Sequence, residues 1–176
     1  RGRVTSVDTD DDIAPLTLGM IASYDYTQYT TIELFASSLN ADIKLRGLVE
    51  ILASAAEYDA IPVRLRDEET LSRLAMHAPL KLPSGTRYND PHTKVNLLLQ
   101  HHFPRRELGR GLAGAAEAVL ERAPRLLQAM VDVVSSSGWL GPALAAMELS
   151  QMVVQGMWDR DSSLLQLPHF TRELAL

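Results

Sequence analysis

Cysteine is absent from this chain of 176 residues, which excludes disulfide bonds and thiolate metal sites. Lysine is almost as scarce, with Lys44, Lys81 and Lys94 as the three lysines among 17 basic residues. The net charge of −5 argues against a general polyanion binder, because sequence-independent affinity for nucleic acid comes from clustered Lys and Arg. No apolar run reaches the roughly 18 residues of a membrane span. Any contact with nucleic acid should therefore be local.

Motifs of catalysis are also missing. The chain has no G-x-x-x-x-G-K-[ST] phosphate loop, no G-x-S-x-G nucleophile turn and no His-Glu-x-x-His pair. Asp8, Asp10 and Asp12 imitate the first ligands of a calcium loop, but Ile13 replaces its glycine and Gly19 its closing glutamate. We therefore predict no catalytic residue, no cofactor and no metal ligand in this segment.

Packed helices are the fold that the composition favours, because 46% of residues are hydrophobic, 6% are aromatic, and Leu and Ala dominate. We predict an all-α helical bundle of about six helices, preceded by a short strand over Arg3–Val7. The first helix should cover Leu16–Ser38. Asn40 is a plausible N-cap for the second helix, and the third should span roughly Asp67–Ala78, ended by Pro79.

The second half of the chain contains the clearest helix start. Asp90 can accept hydrogen bonds from free backbone N–H groups, and Pro91 fits the first helical position. The glycine-containing region 104–116 is undecided, because each glycine weakens a helix by about 1 kcal/mol relative to alanine. A helix is predicted over Glu117–Ser136 with a kink at Pro124, since proline removes a hydrogen bond of the helix.

The final predicted helix, Leu140–Trp158, is apolar almost all round, which is typical of a central helix in a bundle. Its polar residues on one side are Glu148, Gln151, Gln155 and Asp159. They fall within an arc of roughly 80°, with Trp158 at its border. Two interpretations stay open at this point. The stripe faces a channel, or it is a solvent-facing strip beside a core tryptophan.

Several long strings resemble one known family. They are APLTLGMIASYDYTQYTTIELF (14–35), KLRGLVEILASAAEYD (44–59), EYDAIPVRLRDEETLSRLA (57–75), YNDPHTKVNLLLQHHF (88–103), SSSGWLGPALAAMELSQMVVQGMW (135–158) and LPHF (167–170). Together they resemble the Sec63-type unit of Brr2-like spliceosomal U5 snRNP RNA helicases. The strings at 30–35 and 145–149 are similar to the second, C-terminal unit.

The resemblance implies a domain plan and a parent protein. Residues 1–12 would end an upstream winged-helix domain, and 13–176 would form part of a Sec63 helical-bundle domain in a much longer chain. The parent would be an ATP-dependent RNA helicase, using ATP and Mg, that unwinds small nuclear RNA duplexes during pre-mRNA splicing in the nucleus. The segment itself would be non-catalytic. Its expected partners are the rest of the helicase chain and spliceosomal proteins of the U5 snRNP, with no membrane.

The resemblance also implies a site. In related helicases one helix of this bundle, the ratchet helix, lines the path of the unwound strand, and by similarity Gln151, Gln155 and Trp158 would contact single-stranded RNA. No arginine lies on the stripe here, which departs from the family. Two functions follow, a protein-interaction scaffold that braces the helicase core, or an RNA-guiding module. A related helicase outside splicing, of the transcription-coactivator or ribosome-quality-control type, is a third. A bundle separated from the rest of the helicase should expose apolar surface that the helicase core would cover, so we expect marginal solubility of the isolated segment.

Overall fold

The computed structural model describes residues 17–104, 108–158 and 161. Its α-helices are α1 (Thr17–Tyr24), α2 (Tyr29–Ser38), α3 (Leu45–Ala53), α4 (Leu65–Met76), α5 (Pro91–His102), α6 (Arg110–Ser136) and α7 (Leu140–Gln155). A short 3-10 helix, Ala56–Tyr58, follows α3, and the described residues contain no strand. The all-α prediction is confirmed. The strand predicted over Arg3–Val7 and the winged-helix remnant at 1–12 lie outside the described residues.

The core forms between the longest helices and α5. Helix α6 packs most extensively against α7, and α5 contacts α3, α4 and α6. On α5 every side chain from Lys94 to His101 is buried. Within the described ranges, no helix combines the length and the apolar character that crossing a bilayer requires.

The prediction of one helix over Leu16–Ser38 is wrong, because the described part of that range holds two helices. Helix α1 ends at Tyr24, and Tyr26 adopts a left-handed backbone conformation with φ of 51°. The Thr27 hydroxyl donates to the Asp25 carbonyl oxygen at 3.2 Å and closes the turn. A non-glycine residue in this conformation costs energy that surrounding contacts must offset.

A side chain that is distant in sequence stabilises the start of α2. The Glu57 carboxylate accepts a hydrogen bond from the Gln28 backbone N–H at 2.7 Å and another from the Thr31 hydroxyl. The same Thr31 oxygen accepts from the Ala56 N–H at 3.0 Å. Glu57 therefore caps the N-terminus of α2, where free N–H groups and the helix dipole favour a negative charge.

Three further predictions concern helix starts. Asn40 is not a helix N-cap, because its Oδ1 accepts from the Asp42 N–H in a local turn and α3 begins later at Leu45. Helix α4 begins two residues before Asp67, whose carboxylate reaches back to the Arg64 N–H at 3.0 Å. The Asp90-Pro91 start of α5 is confirmed, with Asp90 accepting from the His92 N–H at 2.8 Å.

Helix α6 begins inside the undecided region, seven residues before the predicted start at Glu117. Gly111 and Gly114 lie on its open side, with no atoms near where a Cβ would stand. Leu112 and Ala116 are buried in the core, so apolar packing outweighs the low helix propensity of the glycines. The helix continues through Pro124, where the kink stays a prediction.

Candidate functional site: the outer face of α7

Helix α7 ends earlier than predicted. Gly156 takes the left-handed conformation with φ of 61°, and its N–H and that of Met157 both donate to the Met152 carbonyl oxygen, at 2.9 and 3.2 Å. Glycine adopts this conformation at little cost, which makes it a common helix terminator. The predicted helical extension to Trp158 is therefore wrong. Trp158 is not two regular turns along the same face from Gln151.

One face of α7 is buried in the bundle and the opposite face is open. The buried side chains are Pro142, Ala143, Ala146, Leu149, Met152 and Val153. Gln151 and Gln155 are exposed, which a residue must be to contact single-stranded RNA. Glu148 is exposed beside them. These three residues come from one helix, so the structure brings Gln151 and Gln155 together at successive turns.

Apolar side chains share this open face. Leu140 and Val154 are 72% and 70% exposed, and Leu144 and Met147 are about half exposed. At 100° per residue, Gln151 and Leu144 occupy the middle of an exposed arc of roughly 140°. The other three apolar residues lie on one side of this middle line and the polar residues on the other. The outer face of α7 is therefore half apolar and half polar.

Trp158 packs inward instead of standing free. Its ring meets the buried Phe103 ring edge-to-face, with 4.8 Å between ring centroids. It is half-buried and packs against the main core, while its backbone N–H donates to the Asp161 carboxylate at 3.0 Å. A hydrogen bond of 2.7 Å between His102 Nε2 and the Val153 carbonyl oxygen fixes the ends of α5 and α7 nearby. These contacts give Trp158 a packing role.

Truncation of Trp158 tests that packing role. Trp158→Ala should destabilise the bundle by about 2 kcal/mol, below the usual cost for a fully buried tryptophan because part of the side chain is already in water. Trp158→Phe should recover most of this loss, since a phenylalanine can keep the edge-to-face contact with Phe103. Hydrogen exchange of the C-terminal turn of α7 would measure both. Equal loss in the two variants would contradict the packing role.

The sequence interpretation missed two features of the site. The sequence predicts a central helix, although the number of apolar residues in α7 exceeds what one buried face of a helix can hold. Gly156 is a local signal for the end of this helix. Local sequence thus indicates that α7 ends at Gly156 and that some of its apolar side chains are exposed, but which of them are exposed depends on the position of α6.

Comparison with known proteins gives a family. The Sec63 Brl domain model matches residues 15–175. The chain is 55% identical over 173 residues to the human U5 small nuclear ribonucleoprotein 200 kDa helicase, covering 98% of this chain and 8% of that protein. It is 56% identical over 169 residues to the DExH-box ATP-dependent RNA helicase DExH12 of Arabidopsis thaliana, covering 96% of the chain and 8% of that protein.

A relative outside the U5 helicases also matches. It is the activating signal cointegrator 1 complex subunit 3-like protein of Dictyostelium discoideum, 48% identical over 169 residues, with 96% of this chain and 8% of that protein covered. The chain thus spans about a twelfth of the length of the curated relatives it matches. The match of the family model over nearly all of the chain shows that the protein belongs to the Sec63 Brl domain family.

Proposed function

We propose that this segment is a non-catalytic module of a spliceosomal RNA helicase that acts in the nucleus with ATP and Mg. In this role it braces the helicase core and serves as a scaffold for spliceosomal proteins of the U5 snRNP. The observation that carries the proposal is the exposed apolar half of α7, Leu140, Leu144, Met147 and Val154. Contiguous exposed apolar side chains are typical of surfaces that another protein or domain covers.

A paired substitution tests the bracing role. Leu144→Gln with Met147→Gln should leave the bundle folded, because both side chains are about half in water already. In the parent protein the same pair should raise hydrogen exchange in whatever segment covers α7. Each lost apolar contact contributes about 1 kcal/mol or more. Unchanged exchange throughout the parent would contradict the bracing role.

An RNA-guiding role is the second candidate, favoured by the exposure of Gln151 and Gln155 at successive turns of α7. Polar side chains can steady a single strand without sequence preference, while stacking requires an accessible aromatic face. The packing of Trp158 against Phe103 occupies part of that face. The first candidate is therefore favoured over RNA guiding.

Replacement of the two glutamines separates the candidates. Under the bracing role, Gln151→Ala with Gln155→Ala should leave the RNA-unwinding rate of the parent within about twofold, because no transition-state contact is lost. Under the guiding role the rate should fall about tenfold or more, at about 1 kcal/mol for each hydrogen bond lost. The variant Leu144→Gln with Met147→Gln is the matched comparison, because it changes the apolar half of the same helix face and leaves both glutamines in place.

A further inference from the structure

A cavity of about 460 Å³ opens between the end of α3, the start of α5 and the loop that leads into α5. Its wall contains Ser54 after α3, Thr86 and Arg87 of the loop, and Thr93 and Asn96 of α5. Ligand pockets in proteins typically measure about 300–1,000 Å³, so a side chain of another molecule fits here. The described residues that line the cavity all lie between positions 50 and 96, so it is separate from the outer face of α7.

One buried glutamine fixes the loop side of the cavity. Gln100 is 1% exposed, and its Oε1 accepts from the Leu80 backbone N–H at 2.8 Å while its Nε2 donates to the Leu80 carbonyl oxygen at 3.0 Å. At the tip of the loop, Gly85 takes the left-handed conformation with φ of 81°, and the Thr86 hydroxyl donates to the Pro83 carbonyl oxygen at 2.6 Å. A wall that is already in place lowers the entropy cost of binding.

The same glutamine determines how the Asn96 amide is oriented. Because the Leu80 N–H donates to Oε1 of Gln100, the other atom of the Gln100 amide is Nε2, which is a donor. This Nε2 donates to Asn96 at 2.7 Å, so the Asn96 atom that receives it is the acceptor Oδ1. The second atom of the Asn96 amide is therefore the donor Nδ2, and no hydrogen bond joins it to another described residue.

The Asn96 nitrogen is open to the cavity. Asn96 is 5% exposed and lines the cavity wall. Among the described residues, the fully enclosed side-chain nitrogen and oxygen atoms without a hydrogen-bond partner comprise Asp25 Oδ2 alone, so Nδ2 of Asn96 is not sealed in the core. A largely buried donor without an acceptor costs free energy. A group in the cavity that accepts a hydrogen bond would remove this cost.

Arg87 gives the cavity a positive charge that no described residue compensates. It is exposed, lines the cavity and belongs to none of the ion pairs among the described residues. The other ionisable side chains of the wall each have a partner: Glu50 contacts Arg46 at 3.1 Å, Asp90 the His92 N–H at 2.8 Å, and His92 the Asp59 carboxylate at 2.9 Å. The groups left to recognise a ligand are therefore a buried donor and a cation.

We propose that this cavity is a docking site for an acidic side chain, an aspartate or a glutamate, of a protein partner. The carboxylate accepts a hydrogen bond from Nδ2 of Asn96 inside the cavity and pairs with Arg87 at its mouth. A carboxylate fits these two groups because it only accepts hydrogen bonds and carries a charge opposite to that of arginine. The inference rests on the proposed scaffold function and names a second surface for it.

The rest of the wall favours a protein segment over RNA. An RNA strand carries a negative charge at every phosphate. Its further phosphates would meet the Glu50 and Asp90 carboxylates of the wall, and like charges across an interface are unfavourable. An acidic side chain between neutral residues avoids this repulsion. Leu82 and Pro83 in the wall can also pack on its methylene groups.

Photo-crosslinking in the full parent protein tests the proposal. The photoreactive residue p-benzoylphenylalanine replaces Ser84, which is exposed between the lining residues Pro83 and Gly85. The parent is irradiated with its co-purifying proteins, and the linked peptide is sequenced by mass spectrometry. We expect a linked protein segment with an aspartate or glutamate within a few residues of the crosslink. Arg87→Glu should lower the yield of this link about tenfold or more, because it places two negative charges together.

Synthetic versions of the linked peptide test the contact with Asn96 without changing the fold of the parent. In one version the acidic residue is replaced by its amide, which keeps an oxygen as acceptor for Nδ2 but has no charge. In the other it is replaced by alanine, which has neither. We expect the amide peptide to bind the parent several-fold more weakly than the acidic peptide, and the alanine peptide about tenfold more weakly or worse.

Two controls separate docking from a structural effect. Arg125→Glu makes the same charge change at an exposed position of α6 and should leave the crosslink yield unchanged. Arg87→Glu combined with arginine in place of the partner's acidic residue should restore the yield, which damage to the fold would not allow.

Four results would overturn the proposal. They are the absence of any protein link, a link to RNA or to a segment without an acidic residue, a yield unaffected by Arg87→Glu, and equal binding of the three peptides. None of them would alter the expected effect of Leu144→Gln with Met147→Gln on α7. The docking site and the proposed bracing function therefore fail separately.

Discussion

Lys94→Met should destabilise the contact between α4 and α5 by about 3–5 kcal/mol, the usual cost of removing one partner from a buried ion pair. Lys94 is 2% exposed, and its Nζ donates to Asp67 Oδ2 at 2.6 Å and to the Pro62 carbonyl oxygen at 2.7 Å. Methionine has a similar length but cannot donate. The Asp67 carboxylate would then stay buried, with the Arg64 N–H as a remaining donor.

The state of Asp67 explains the size of this effect. Burial alone would raise its pKa, but hydrogen bonds from Lys94 and the Arg64 N–H outweigh burial and hold the pKa below its usual value. A depressed folded pKa means that Asp67 stabilises the fold above its unfolded pKa of about 4 and loses this as pH falls through the folded pKa. The destabilisation by Lys94→Met should therefore be largest at neutral pH.

A second substitution checks the mechanism. Adding Asp67→Asn to Lys94→Met removes the buried charge but keeps an acceptor for the Arg64 N–H, so the double variant should be more stable than Lys94→Met alone. Lys81→Met is the matched control, because Lys81 is exposed and its substitution should change stability by about 0.5 kcal/mol or less. Hydrogen exchange of α4 and α5 amides in the parent reports all three. A double variant less stable than the single one would contradict the charge argument.

Glu57→Ala should destabilise α2 by about 2–4 kcal/mol, because two hydrogen bonds to a charged acceptor are lost together. The Gln28 N–H and the Thr31 hydroxyl both donate to this carboxylate. The Thr31 hydroxyl would still accept from the Ala56 N–H, but it would have no acceptor for its own proton. Because Thr31 is fully buried, water could not replace that acceptor. The first turn of α2 should open, and hydrogen exchange of its amides in the parent measures the opening.

Comparison with another glutamate isolates the capping effect. Glu50→Ala removes a glutamate from a surface pair with Arg46 on α3 and should cost about 0.5 kcal/mol or less. Glu57→Gln keeps one oxygen as acceptor and should lose only part of the stability that Glu57→Ala loses. If Glu57→Ala left the exchange of α2 as slow as Glu50→Ala does, the capping role would be refuted.

Local chemistry explains which parts of the fold could be predicted. The start of α5 depends on Asp90 and Pro91, which are adjacent and act on their own helix, so the sequence identifies it. The break between α1 and α2 contains neither glycine nor proline. It depends on the left-handed Tyr26 and on Glu57, which lies 29 residues beyond Gln28. A pairing at that separation has no signature in a local pattern.

The candidate site was predicted in part for the same reason. Helical periodicity placed Gln151 and Gln155 on one face, and both are exposed. Gly156 marks the helix end before Trp158, but periodicity could not show that Trp158 packs on Phe103, a contact that joins residues 55 positions apart. Nor could it tell which apolar side chains of α7 face solvent, because that depends on where α6 lies. The buried Asp67–Lys94 pair could not be predicted either, because it joins two residues that are 27 positions apart.

We propose that this segment is a module of a long spliceosomal RNA helicase, and the native protein can be tested for this. The most direct measurement is to purify the native protein from its source with an antibody against the exposed loop around Pro83–Gly85 and to determine its chain length and companions by mass spectrometry. Because the segment corresponds to 8% of its human relative, we expect a chain more than ten times as long, with nucleotide-binding motifs and U5 snRNP proteins. A native chain of about 176 residues without helicase motifs would contradict the account.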